Sequence, residues 1–212
     1  MRTTVTYLFD PLCGWCYGAS PVVQYLGNRN DVLLDLAPTG LFSGRGARAM
    51  DPTFAAYAWS NDERIEKLTG QRFTEAYRTQ VLDKPDSRFD STAATLALTA
   101  VALTSPEHEL ATLKLLQEAR YIRGLDTSAV PVAAQVLGDA GLNAAADRLV
   151  ATDAALVAAN LERIRKAQTL MQTFGAQGVP AMVVIDERGG RLLQGDVLYR
   201  GFESLLNHVT TA

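Results

Sequence analysis

The chain of 212 residues has two cysteines, Cys13 and Cys16, set in the run Cys13-Gly14-Trp15-Cys16. In disulfide chemistry the thiolate, not the thiol, is the nucleophile, so the question is which sulfur sheds its proton readily. A cysteine at the first turn of a helix faces unpaired backbone N–H groups and the positive end of the helix dipole. Both stabilise its anion and lower its pKa. A second cysteine three residues on lies one turn inward on the same face. From there it can attack a mixed disulfide formed at the first and release the partner. The spacing therefore nominates Cys13 as an accessible nucleophile and Cys16 as a more buried resolving thiol. No bound cofactor is required, because the two sulfurs carry both electrons. A zinc site would need four ligands. The only histidines, His108 and His208, lack metal-like spacing, so no metal is expected. Two plain core cysteines are the remaining reading, and a position between a strand and a helix disfavours it.

The elements around the pair follow from local pattern. Thr3 to Phe9 is rich in β-branched and aromatic residues and reads as a strand, ended by Asp10-Pro11. A helical pattern runs from the cysteines to about Gly27, with Pro21 placed to kink it. Asp31 to Ala37 reads as a second strand, so the chain opens as a parallel strand–helix–strand unit. Thr39 to Ala49 carries Gly40, Gly44 and Gly46 and reads as a mobile loop, with Arg45 and Arg48 as solvated charges. From Asp51 to Phe174 the signals are helical. Asp51-Pro52 starts one helix, Phe73, Tyr77 and Val81 recur at intervals of four, and Val157, Leu161, Ile164 and Met171 mark one face of a last long helix. Gly175 is placed to end that helix as a left-handed cap. Ala181 to Ile185 and Arg191 to Leu193 form a hairpin around the turn Glu187-Arg188-Gly189-Gly190, and Gly201 to Val209 is a closing helix. Strand signals at both ends with helices between them describe one α/β domain, residues 1–45 and 175–212, with a helical domain, 46–174, inserted.

Other residues are candidates by placement. Gly178-Val179-Pro180 precedes a terminal strand. An ordinary trans proline is the common case. If the hairpin pairs with the first strand, however, Pro180 lands beside Cys13, and a cis bond there would leave the Val179 backbone free to pair with an extended substrate. Asp10, three residues before Cys13, could relay a proton or hydrogen-bond the turn. Trp15 and Tyr17 are candidates for an apolar substrate rim, and Tyr17 suits core packing equally. Asn61, Asp62 and Glu63 read as helix-cap chemistry. With 20 basic and 23 acidic residues, a net charge of −3, the chain has no general attraction for nucleic acid or an anionic membrane. Its N-terminal apolar run is too short for a signal peptide, which points to a cytoplasmic protein.

On these motifs the sequence resembles the DsbA-like branch of the thioredoxin superfamily, in particular its cytosolic FrnE-type group. The resemblance rests on Cys13-Gly14-Trp15-Cys16 after the first strand, the helical insertion, and Val179-Pro180 before the hairpin. It implies a thioredoxin fold, an α/β architecture in which a large all-helical domain separates the β-α-β and β-β-α halves. It further implies Cys13 as nucleophile, Cys16 as resolving cysteine, and Pro180 in cis beside them. The implied activity is thiol–disulfide oxidoreduction, reductase- or isomerase-like, on protein or small-molecule thiols and disulfides, glutathione among them. Kappa-class glutathione transferases and 2-hydroxychromene-2-carboxylate isomerases look similar and use glutathione as cofactor. In them serine replaces the first cysteine, and a Trp-Gly-X-Asp-Arg motif stands where this chain has Leu198-Tyr199-Arg200-Gly201-Phe202. A non-catalytic binding module with the same fold is a further alternative.

Overall fold

The computed structural model describes residues 3–187 and 189–210. Arg188, inside the turn expected at 187–190, lies outside the described residues, as do 1–2 and 211–212 at the ends of the expected α/β domain.

In chain order the elements begin with β1 (Thr3–Phe9), α1 (Gly14–Gly18), α2 (Ser20–Gly27) and β2 (Val32–Pro38), then the two-residue β3 (Arg48–Ala49) and α3 (Pro52–Thr69). Next come α4 (Glu75–Tyr77), β4 (Arg88–Phe89), α5 (Thr92–Thr104), α6 (Glu109–Tyr121), α7 (Val130–Asp139), α8 (Asn143–Ala151) and α9 (Ala154–Phe174). The chain closes with β5 (Ala181–Asp186), β6 (Gly189–Gln194) and α10 (Phe202–Thr210). This is the thioredoxin arrangement with helices between its two halves. No described helix is long and apolar enough to cross a membrane.

The main sheet has the order β2-β1-β5-β6. β1 runs parallel to β2, with Thr3 opposite Val32 and Phe9 opposite Pro38, and antiparallel to β5, with Leu8 opposite Ala181. As a central strand β1 is covered on both faces, so every residue from Val5 to Phe9 is buried, Thr6 included. Leu8 points into a layer with Ala37, Ala181, Val183 and the α9 residues Ala167, Leu170 and Phe174. Val5, Tyr7 and Phe9 point the other way, into a core that includes Val22, Val23 and Leu26 of α2 and Leu205 and Val209 of α10.

Helix boundaries follow the capping signals. Asp51 accepts a hydrogen bond from Phe54 N at 2.8 Å with Pro52 in the first turn of α3. Asp153 does the same for α9 from Leu156 N at 2.7 Å, and Gly175 ends that helix at φ 70°. The expected kink is a break at Ala19 between α1 and α2, with Pro21 in the first turn of α2.

Several expectations need correcting. The glycine-rich stretch 39–49 is not a free loop: Thr39 N donates to Phe9 O, Phe42 N donates to the Asp10 carboxylate, and β3 pairs with β4 as a two-stranded ribbon. Within it, the Arg48 guanidinium stacks 4.0 Å over the Phe54 ring. The Phe73–Val81 repeat is not one α-helix. Phe73 precedes α4, and Arg78–Leu82 is a π-helical turn, though all three apolar residues are buried. Leu161 is 60% exposed rather than on the inner face of α9. That face belongs to Leu156, Asn160, Arg163 and Ala167. The two polar residues turn inward because Thr99 donates to Asn160 Oδ1 at 2.9 Å and Arg163 donates to Leu36 O at 3.0 Å. A further correction, at Asp62, concerns the site.

Candidate active site

Cys13 occupies the N-cap of α1, with extended backbone (φ −81°, ψ 116°), and its carbonyl accepts the first helical bond from Tyr17 N. The turn before it is pinned from two sides. Cys13 N donates to Asp10 O at 3.1 Å, and Tyr121 Oη of α6 donates to Leu12 O at 2.8 Å. Cys16 lies one turn inward, 1% exposed, and Tyr7 Oη donates to its carbonyl at 3.2 Å. No disulfide joins the two cysteines in this structure. Cys13, expected at an open helix tip, is only 7% exposed. Burial and a hydrogen bond with Cys13 hold the Cys16 thiol well above the usual thiol range.

The Val179–Pro180 bond is cis, and the pairing of Ala181 with Leu8 delivers it to the Cys13 end of the sheet. The Cys13 thiol donates to Val179 O at 3.7 Å. That carbonyl is therefore engaged by the Cys13 sulfur rather than left free.

Trp15 separates two cavities. One, of about 480 Å³, runs along Gly178, Val179, Pro180, Tyr199 and Leu68. Tyr199 Oη donates to Trp15 O at 3.0 Å and the two rings lie 5.5 Å apart. The other, of about 220 Å³, opens onto Cys13 and Gly14 between α1 and α3, with Phe42, Phe54, Phe89 and Tyr121 as walls. α3 can lie this close because α1 presents glycines to it. A Cβ on Gly14 would collide with Asp62 Oδ1, and one on Gly18 would meet Ile65 Cγ2 at 2.7 Å.

Asp10 is fully buried, and its carboxylate has three donors: Leu12 N at 3.0 Å, Phe42 N at 3.0 Å and Ser91 Oγ at 2.8 Å. Burial raises its pKa against the opposing pull of those donors. Of its two expected roles, the geometry matches the one that hydrogen-bonds the turn. Tyr17 is core, stacked on Tyr121 with centroids 4.8 Å apart, and does not form a rim. Trp15 does border both cavities.

Asp62, expected as helix-cap chemistry, caps nothing. It lies in the middle of α3, 5% exposed, with Oδ2 accepting from Tyr77 Oη at 3.2 Å. Burial pushes its carboxyl up to about 7, opposed by the Tyr77 hydrogen bond and by the Arg120 charge. A signal was present: Ala55, Ala58, Asp62, Ile65 and Thr69 fall at intervals of three and four, which sets an acid on the inward stripe of the helix.

The family model described as DSBA-like thioredoxin domain matches residues 4–207. No match was found among curated proteins. Among solved structures, the cytosolic disulfide reductase DsbM from Pseudomonas aeruginosa is 27% identical. It superposes with a TM-score of 0.86 over 99% of this chain and 100% of its own. The same reductase with GSH is 28% identical, with a TM-score of 0.83 over 97% of this chain and 98% of its own.

Proposed function

The chain belongs to the DSBA-like thioredoxin domain family and is a thiol–disulfide oxidoreductase, and from that premise we propose that Cys13 and Cys16 are its redox pair, working in the reducing direction. Cys13 attacks a substrate disulfide R–S–S–R′. A Cys13–S–S–R bond forms, the substrate S–S bond breaks, and R′S⁻ leaves and takes up a proton. Cys16 loses its proton and attacks the Cys13 sulfur. The 13–16 disulfide closes and RSH departs. Two equivalents of a small thiol such as glutathione return the pair to the dithiol and become one disulfide. The observation that carries this reading is Cys13 at the N-cap of α1 with its sulfur 3.7 Å from Val179 O, and Cys16 buried one turn behind.

The reducing direction is supported by the likeness to a reductase, and glutathione by the likeness to that reductase with GSH. The cytosol is the compartment we assign, as for that relative. Trp15, Val179 and Pro180 form the substrate edge along the larger cavity. Residues 46–174 serve as one inserted helical unit that covers the pair, and residues 1–45 with 175–212 are the thioredoxin-like unit that carries it.

The test is equilibration against a glutathione redox buffer, followed by insulin reduction, with Cys13→Ser and Cys16→Ser variants. Cys13→Ser is expected to abolish turnover, and Cys16→Ser to trap mixed disulfide. Full turnover by Cys13→Ser would overturn the assignment.

A further inference from the structure

The exchange chemistry above uses no group from the helical insertion, yet α3 sets a carboxyl against the residue that follows Cys13. Asp62 Oδ1 occupies the space a Gly14 side chain would need. Its other oxygen is held by Tyr77 Oη at 3.2 Å. Asp62 also lines the smaller cavity together with Cys13. Asp10, the other buried acid here, has both oxygens taken by three donors that belong to the turn and its supports.

The groups that face Asp62 are few. α1 brings Gly14 and its N-cap Cys13, α3 itself brings Tyr57 along the same cavity, α4 brings Tyr77, and α6 brings Tyr121 and Arg120. Arg120 is fully buried, its guanidinium 5.6 Å from the Tyr77 ring centroid, and ion-paired at 3.4 Å with Asp126. The acids next along α3 bond elsewhere: Glu63 accepts from Trp59 Nε1, and Glu66 from Phe73 N.

We propose that Asp62 is a positioning residue for the redox pair, whose charge state sets how readily Cys13 gives up its proton. A carboxylate beside a thiol opposes formation of a second negative charge, whereas the neutral acid does not. Two such neighbours lose their protons in two linked steps that belong to the pair. The insertion thereby restrains Cys13 reactivity as pH rises through the ionisation of Asp62. The inference rests on Cys13 as nucleophile, but its readout is Cys13 ionisation rather than turnover, so the two readings fail separately.

The experiment uses the full chain with Cys16→Ser, leaving Cys13 as its single thiol. Ultraviolet thiolate absorbance and the rate of iodoacetamide alkylation are followed from acid to alkaline pH. Two inflections are expected in the parent. Asp62→Asn should leave one, at lower pH, with alkylation near neutrality faster by up to about tenfold for every pH unit the inflection moves. Tyr77→Phe removes the donor that favours the Asp62 carboxylate and should move the first inflection upward. Circular dichroism checks that each variant is folded. A folded Asp62→Asn profile that superimposes on the parent overturns the proposal. If that variant does not fold, an unmoved inflection in Tyr77→Phe overturns it instead.

Discussion

Asp10 and Asp62 flank the turn that carries Cys13, and burial raises the pKa of both. Asp10 compensates with three donors, so its cost of burial is partly offset by hydrogen bonds that also shape the turn. Asp62 has one protein donor and a shared cation, and burial lifts its pKa from the usual 3.8 to about 7. Between those values the folded chain holds a proton that the unfolded chain has lost, so the Asp62 contribution to stability declines as pH rises from about 4 to about 7. Asp62→Asn has no such dependence. Urea unfolding of parent and variant at several pH values should show the variant gaining on the parent across that window, by on the order of a few kcal/mol in total. Parallel stability curves would contradict the burial argument.

At the scale of elements, α9 shows how hydrogen bonding overrides an apolar stripe. A helix can turn only one face to the sheet, and Asn160 and Arg163 claim that face by bonding to α5 and β2. Leu161 is left in solvent, while Ala167 packs without exposed surface against the layer of Leu8, Ala37 and Val183. Opposite tolerances follow. Ala167→Leu adds volume where the sheet and helix already touch and should cost about 1–3 kcal/mol. Leu161→Ser should stay within about 0.5 kcal/mol of the parent. Thermal melts of the two variants decide the register, and the reverse order would mean that α9 is rotated from the orientation described. α5 is the counterpart case: it is buried from Ala93 to Val101 on every side, alanines, leucines and threonines alike, because helices α6 to α9 surround it.

At the scale of the whole molecule, one core runs from the sheet into the helices: Tyr7, Phe9 and Cys16 belong to the same cluster as Leu98, Leu116 and Tyr121. Hydrogen bonds cross the same boundary, from Tyr121 to Leu12 O and from Gln168 to Thr39 O. Such continuity predicts a single cooperative unfolding transition. In a Trp59→Phe background fluorescence reports Trp15 beside the cysteines, and its midpoint should coincide with that of helix loss by circular dichroism. Two resolved midpoints would show the helical segment unfolding independently. Features that depend on neighbours along the chain were legible in the residues alone: the three-residue spacing of Cys13 and Cys16, the β-α-β opening, the capping of α3 and α9, and a proline standing before the closing hairpin. Pairing that hairpin with β1 was a short step from topology, and it brought Pro180 to Cys13. The surroundings of the pair are a different matter. Asp62, Tyr77, Tyr121 and Tyr199 reach it from 46 or more positions further along the chain than Cys16. Only the packing of α3 on the glycine face of α1 makes Asp62 a neighbour of Cys13. Periodicity indicates that a residue is buried, but which group it meets there depends on how separate elements fit together.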